Sequence, residues 1–169
     1  LSRVYRGKVV RDLDTGDLRR SIEDFKRLPA TEKDRIDLVK GHIPFGMHEG
    51  FTRPCTYITM LRDPVARIMS HYRYAISSPA HYLHREIVGK NMSLRDYVVS
   101  GISEEMDNAM VRILSNNLYG IPFGACNSAM LEAAKENLNR YFSMVGLAER
   151  FDESVLLMKL ELGWSLYPV

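Results

Sequence analysis

The amino-acid sequence predicts an α/β fold in which a parallel sheet is flanked by helices. Two apolar segments rich in β-branched and aromatic residues, 56–61 and 141–147, have the composition of buried strands. A third segment, 36–42, predicts a shorter strand that ends in a glycine and a histidine. Segments with helical spacing of apolar residues separate these strands, and such alternation favours parallel pairing.

The predicted helices follow from apolar spacing and from capping residues. In the first, 17–27, Leu18, Ile22 and Phe25 share one face, after a polar start with a turn in DLDTGD. The second begins at Asp63 and Pro64, which suit an N-cap and a first turn. Its predicted apolar stripe consists of Val65, Ile68, Met69, Tyr72 and Ile76. The later predicted helices cover 93–100, 104–115, 128–140 and 149–164.

Composition favours one globular domain without a membrane span. The chain has 169 residues, of which 46% are hydrophobic, and no apolar run approaches the ~18 residues that cross a bilayer. Cys55 and Cys126 match neither a zinc spacing nor a dense disulfide framework, so two free thiols are expected. Residues 1–90 hold 17 basic against 11 acidic side chains, and this asymmetry favours an anionic ligand there.

The stretch TYITMLRDPVARIMSHYRY, 56–74, joins a predicted strand to a predicted helix and carries the strongest signal for a site. Arg62 follows the strand, and a guanidinium can hold two phosphate oxygens. At ~100° per residue, Ser70 returns to the face of Asp63, and Arg67 lies between them. We therefore predict an anion site at this junction. A lone Arg-Asp-Pro that only begins a helix is the alternative.

This stretch resembles the segment that binds the 3′-phosphate of 3′-phosphoadenosine 5′-phosphosulfate (PAPS) in carbohydrate sulfotransferases. The nearest likeness is to the sulfotransferase family 2 type, which includes heparan sulfate 2-O-sulfotransferase and bacterial relatives. In that pattern the arginine after the strand and the serine eight residues later hold the 3′-phosphate. Arg62 and Ser70 stand at the matching positions. The resemblance implies PAPS as co-substrate and requires no metal.

Two further segments extend the likeness. VKGHIPFGMHE resembles the family's Gly-His segment, which assigns His42 as the proposed catalytic base. A neutral imidazole can accept a proton from a sugar hydroxyl near neutral pH. The heparan sulfate enzyme has a second histidine where this chain has Lys40, and a histidine that only fixes the loop is the alternative. Residues 106–115 and 136–164 resemble later parts of the family.

The resemblance implies a three-layer, P-loop NTPase-like sulfotransferase fold, here incomplete. One domain is expected over 1–169, with a helical or linker part at 1–35 and a matched core at 36–169. No lysine-containing loop for the 5′-phosphosulfate is visible, and Thr15 and Gly16 lack the right context. We therefore expect a fragment that begins after that loop. The implied reaction is sulfuryl transfer to a hydroxyl, with a carbohydrate as the acceptor.

Several alternatives stay open at the sequence level. A non-catalytic module could retain only the 3′-phosphate site, and a nucleotide kinase of related fold is disfavoured because no Walker lysine is present. The stretch that contains His71, His81 and His84 could contact a sugar or solvent, whereas metal and nucleic acid are not favoured. Asn108 and Arg112 could form a surface pair or part of a site. Localisation is expected to be cytoplasmic, or the Golgi lumen for a eukaryotic homologue.

Overall fold

The computed structural model describes residues 4–14 and 17–164 and shows a mixed α/β fold. The strands are β1 (Val10–Asp12), β2 (Leu38–Lys40), β3 (Tyr57–Leu61) and β4 (Phe142–Leu147). The helices are α1 (Leu18–Arg27), α2 (Ala30–Lys33), α3 (Pro64–Ser77), α4 (His84–Gly89), α5 (Leu94–Val99), α6 (Ala109–Leu114), α7 (Ser128–Tyr141) and α8 (Phe151–Glu161). Short 3-10 turns cover Glu104–Met106 and Ala148–Arg150. The predicted turn at Thr15 and Gly16 lies outside the described residues.

The strands form two parallel pairs, which confirms the predicted α/β class with parallel pairing. β1 pairs with β2, with Asp12 opposite Lys40. β3 pairs with β4 and ends in the pair Leu61 and Leu147. β1 lies in a stretch that the sequence predicted to be irregular, because three exposed and mostly polar residues give no strand pattern.

The structure corrects two predicted elements and adds a helix. The predicted strand 36–42 is limited to β2, because Gly41 has a φ of +145° that a regular strand does not accommodate. The predicted helix 104–115 is divided into a 3-10 turn and α6, since Asn108 takes the left-handed conformation between them. α4 is a helix that the sequence did not predict.

The apolar stripe predicted along α3 is partly wrong. Val65 is 66% exposed, and Met69 and Ile76 are also exposed. The side of α3 that faces the core contains Ala75, which is fully buried, and two half-buried residues earlier in the helix. The packed residues on this side are Ile68, Tyr72 and Ala75, which contact Leu83, Ile87, Tyr97 and Met106. The predicted stripe differs from the buried side because the prediction did not count Ala75, a small residue, as part of the core.

α1 agrees with the prediction. Asp17 accepts a hydrogen bond from the Arg20 N–H and caps the helix, and Ile22 and Phe25 are buried. They pack in a core cluster with Leu13, which directly follows β1, and with residues of the segments around β2. The buried members of this cluster are Leu13, Ile22, Phe25, Ile36 and Met47. This packing fixes β1 beside β2 and so positions the ends of both strands.

Phe45 is the centre of an aromatic cluster at the amino ends of β3 and β4. Its ring lies 4.9 Å from that of Tyr141 and 5.3 Å from those of His48 and Tyr57, measured between centroids. The Tyr57 hydroxyl accepts the backbone N–H of His48 and lies 2.8 Å from His48 Nδ1. Burial raises the pKa of Tyr57 to about 12, so the hydroxyl keeps its proton for that second contact. The cluster anchors the loop that follows His42.

Arg112 is a structural residue and not part of a surface pair with Asn108. Its side chain is fully buried and donates to the carboxylate and the carbonyl of Asp107. It also donates to the carbonyls of Ile121 and Pro122, and thereby holds the following loop against α6. Burial opposes ionisation of Asp107, but the hydrogen bond from Arg112 lowers the pKa of this carboxyl.

Two other sequence-level expectations can be compared with the structure. Cys55 and Cys126 are both free thiols, as predicted. Among the helices in the described part of the chain, none combines the length and apolarity that crossing a membrane requires.

Candidate active site

The start of α3 leaves few backbone donors free for a ligand. The Asp63 carboxylate accepts the Ala66 N–H at 2.8 Å, and the Asp63 N–H donates to Glu149 Oε1 at 2.9 Å. Pro64 has no N–H. In the part of the chain that the structure describes, the Val65 N–H is therefore the first-turn amide that remains available. An anion at this junction must be held mainly by side chains.

Arg62 and Ser70 supply two such side chains. Arg62 follows β3 directly and is exposed, whereas Ser70 is half-buried on α3, two turns after the start of the helix. Neither side chain has a hydrogen-bond or ion-pair partner among residues 4–14 and 17–164. Both are therefore available to a ligand. Their convergence on one phosphate stays a prediction.

Arg67 has a partner of its own. Its guanidinium donates to the Glu105 carbonyl at 2.9 Å and forms an ion pair with the Glu105 carboxylate. The pair is mostly shielded from solvent, with 20% of the Arg67 side chain exposed. This contact connects α3 to the 3-10 turn before α6. A role for Arg67 as a phosphate ligand stays a prediction and would require sharing the guanidinium with Glu105.

His42 is held at the carboxyl end of β2 by a residue that sequence reasoning missed. The backbone N–H of His42 donates to Asp14 Oδ1 at 2.8 Å, and His42 Nδ1 lies 2.7 Å from Asp14 Oδ2. Gly41 permits this approach, since a Cβ there would lie 3.0 Å from Asp14 Oδ1. An Nδ1–H donated to the carboxylate leaves Nε2 as the proton-accepting nitrogen. The exposed imidazole is thereby oriented as a base.

Lys40, two residues before His42, makes a similar contact with an acidic residue of the neighbouring strand. It forms an ion pair with Asp12, its partner in the parallel register of β1 and β2. The acidic residues Asp12 and Asp14 therefore face Lys40 and His42 at the same spacing on both strands. This matched spacing of two residues is the signal that could have identified Asp14, had β1 been recognised as a strand.

His71 lies on α3, close to the proposed anion site. Its Nδ1 is hydrogen-bonded to the hydroxyl of Tyr97, which is fully buried. Burial lowers the pKa of His71, and the charges of His81, Arg67 and His42 lower it further against the opposing effect of Glu105. His71 directly follows Ser70, a proposed phosphate ligand, on α3.

No set of three histidine, cysteine or acidic side chains in the described residues is arranged to hold a metal ion. His71 and His81 contact each other through their rings, and His84 Nδ1 instead lies 2.9 Å from the Ala75 carbonyl. The three histidines that the sequence singled out therefore do not converge on one point.

Comparison with known proteins identifies the class of this chain. A sequence profile of the Galactose-3-O-sulfotransferase family matches residues 26–169, which include His42, Arg62 and Ser70. The class is therefore that of the carbohydrate sulfotransferases, and the resemblance seen in the sequence is confirmed. The chain belongs to the galactose-3-O-sulfotransferase family. A search of curated proteins gave no match.

Proposed function

We propose that this protein transfers a sulfuryl group from PAPS to a hydroxyl group of a carbohydrate. The observation that carries the proposal is the exposed imidazole of His42, which Asp14 orients through two contacts at the end of β2. Membership of a carbohydrate sulfotransferase family supports the reaction type. Family membership also favours galactose as the acceptor, with its 3-hydroxyl as the nucleophile.

The donor would be held through its 3′-phosphate by Arg62 and Ser70. A planar guanidinium can donate two parallel hydrogen bonds to a phosphate, and a serine hydroxyl can donate a third. Both side chains lack partners within the described residues and stand beyond the end of β3. Ligands of parallel α/β sheets bind at this end of the strands. Arg67 would share its guanidinium between Glu105 and this phosphate.

The proposed architecture around this site is a three-layer, P-loop NTPase-like sheet, with residues 36–169 in its core. Both strand pairs are parallel, and helices such as α7 and α8 pack beside β4, which supports this arrangement. In such a fold the two strand pairs would belong to one sheet. The 5′-phosphosulfate would then be bound by elements other than those described above.

The reaction follows from these positions. The acceptor oxygen attacks the sulfur of the donor in line with the bond to the leaving phosphate oxygen. A new S–O bond forms to the acceptor, the old S–O bond breaks, and adenosine 3′,5′-bisphosphate leaves. The acceptor proton passes to Nε2 of His42, and the Asp14 carboxylate stabilises the imidazolium that results.

The experiment is a transfer assay with PAPS and lactose, a neutral galactoside, in which sulfated lactose and adenosine 3′,5′-bisphosphate are quantified together. We expect equal amounts of the two products. His42→Gln should lower kcat by about 100-fold or more, the range for loss of a general base. Binding of adenosine 3′,5′-bisphosphate without any transfer to lactose or other carbohydrates would contradict the proposal and support a non-catalytic binding module.

A further inference from the structure

A group of ring side chains lies beside the proposed site and has no role in donor binding. His71 and Tyr74 come from α3, and His81 and Tyr82 from the segment that follows it. The His81 ring lies 5.1 Å from that of His71, 5.2 Å from that of Tyr74 and 4.7 Å from that of Tyr82, between centroids. We refer to these four residues as the ring cluster.

The exposed ring of Tyr82 is held in an unusual way. Surface tyrosines commonly bury the ring and direct the hydroxyl to water. Here the Tyr82 hydroxyl lies 2.8 Å from Ser103 Oγ, which is buried, while the residue is 67% exposed. Tyr74 is 59% exposed on the other side of His81. Two aromatic faces are thus presented to solvent, and one is fixed before any ligand arrives.

The two histidines provide hydrogen-bond donors within the same surface. His81 Nδ1 accepts the Leu83 N–H at 3.2 Å, so a neutral His81 carries its proton on Nε2. His71 Nδ1 contacts the hydroxyl of Tyr97, whose pKa is raised by burial, so this hydroxyl can donate. The proton of a neutral His71 is then also on Nε2. Neither Nε2 has a hydrogen-bond partner in the described residues.

The surface carries little net charge near neutral pH. Burial lowers the pKa of both His71 and His81. The charge of Glu105, which opposes that shift in both cases, is neutralised by the ion pair with Arg67. A set of neutral donors beside exposed rings suits an uncharged ligand that has an apolar face and several hydroxyl groups. A pyranose sugar has both.

We infer that the ring cluster is the acceptor subsite and binds a neutral pyranose, which stacks on Tyr82 and accepts hydrogen bonds from His71 and His81. This inference rests on the proposed function, since it assigns the acceptor of that reaction. His71 is also the residue that directly follows Ser70, a proposed phosphate ligand, on α3. A sugar on the cluster would therefore lie close to the proposed donor site.

The test measures two dissociation constants on the whole protein by titration calorimetry, one for lactose and one for adenosine 3′,5′-bisphosphate. Tyr82→Ala should weaken lactose binding about 10-fold, the effect of losing one aromatic contact. It should leave the bisphosphate constant unchanged. Tyr82→Phe keeps the ring and should retain most of the lactose affinity. Leu160→Ala, which removes a side chain of equal exposure on α8, is the matched control and should change neither constant.

The outcomes separate this inference from the proposed function. Equal lactose binding by the wild type and by Tyr82→Ala, or no lactose binding by the wild type, overturns the acceptor subsite. Tighter binding of galacturonate than of lactose overturns its neutral character. Failure of the wild type to bind adenosine 3′,5′-bisphosphate would instead contradict the proposed function. Weaker lactose binding by Tyr82→Ala than by the wild type would still support a sugar site in that case.

Discussion

The Asp14 carboxylate holds His42 at two points, the backbone N–H at 2.8 Å and the imidazole Nδ1 at 2.7 Å. These contacts fix both the position of the loop and the rotation of the ring. The connection spans two strands, because Asp14 follows β1 and His42 follows β2. A carboxylate in this position gives an exposed histidine a defined orientation, which a flexible loop alone would not provide.

Replacing Asp14 should therefore affect the rate and not donor binding. Asp14→Asn keeps the size of the side chain but removes the charge that favours the imidazolium, and it can leave the wrong nitrogen protonated. We expect kcat to fall about 10- to 100-fold with little change in the KM for PAPS. Steady-state kinetics with PAPS and lactose measure both constants.

Asp37→Asn is a matched control, since Asp37 also accepts a backbone N–H, that of Val9, beside the same strand pair. It should leave kcat within about twofold of the wild type, in keeping with a contact remote from the reacting atoms. If Asp14→Asn proved as active as this control, Asp14 would not position the base.

The buried ion pair of Arg112 and Asp107 should matter for stability. Arg112→Met removes the donors to the Asp107 carboxylate and to two loop carbonyls, and leaves a charge buried without its partner. Breaking a pair of this kind costs about 3–5 kcal/mol in the free energy of unfolding. Urea denaturation followed by circular dichroism measures the loss.

Arg140→Met, which breaks an exposed pair with Glu136 on α7, should leave the unfolding midpoint almost unchanged. A comparably small effect of Arg112→Met would show that the buried pair contributes no more than a surface pair.

Stability should fall as the pH drops from about 7 to 5, because of His71 and His81. Burial lowers the pKa of both in the folded state, whereas an unfolded histidine titrates near 6.5. Below that value the unfolded state binds more protons than the folded state, so protonation favours unfolding. Above it both forms are neutral, and this contribution to stability is complete. Glu105 opposes the shift, and the charges of Arg67, His42 and His84 reinforce it.

The measurement is urea unfolding at several pH values for the wild type and for the double variant His71→Gln/His81→Gln. The double variant should show a smaller loss of stability between pH 7 and 5. Carboxylates affect stability in a separate pH range. Hydrogen bonds from Thr52 and Ser93 lower the pKa of Asp34 and Asp96 from 3.8, so their contribution to stability is lost only when the pH falls below about that value. Identical pH profiles for the two proteins would refute the assignment to the histidines.

Glu149 places a negative charge at the start of α3, where its carboxylate accepts the Asp63 N–H. Glu149→Gln keeps an oxygen acceptor and removes the charge. Because this charge lies near the proposed phosphate ligand Arg62, we expect adenosine 3′,5′-bisphosphate to bind about 2- to 5-fold more tightly at low salt. The gain should disappear at high ionic strength. Weaker binding by this variant in calorimetry would contradict a repulsive role for Glu149.

The sequence was informative where one local pattern decides the structure. β3 and the start of α3 were predicted because an apolar β-branched run is followed by Asp63 and Pro64, and both the strand and the cap are present. α5 likewise lies within the predicted helix 93–100, and Ser93, the first residue of that range, is its cap. These features depend on residues within a few positions of one another.

Contacts between distant segments were not predicted. Asp14 lies 28 positions before His42, and β1 has no apolar pattern that would place the two residues together. The pairing of Arg67 with Glu105 spans 38 positions and became visible only in the structure. The ring cluster depends on the chain reversal after α3, which brings His81 back to His71. Such contacts are set by tertiary packing and have no local signature.

The most direct test of 3′-phosphate recognition is ligand-induced thermal stabilisation of the whole protein. Adenosine 3′,5′-bisphosphate should raise the Tm, and ADP, which lacks a 3′-phosphate, should raise it far less. Arg62→Ala should abolish the shift, whereas Arg73→Ala, at an exposed arginine on the helix that follows, should retain it. Equal stabilisation by ADP, or an undiminished shift in Arg62→Ala, would contradict the assignment of Arg62 to the 3′-phosphate.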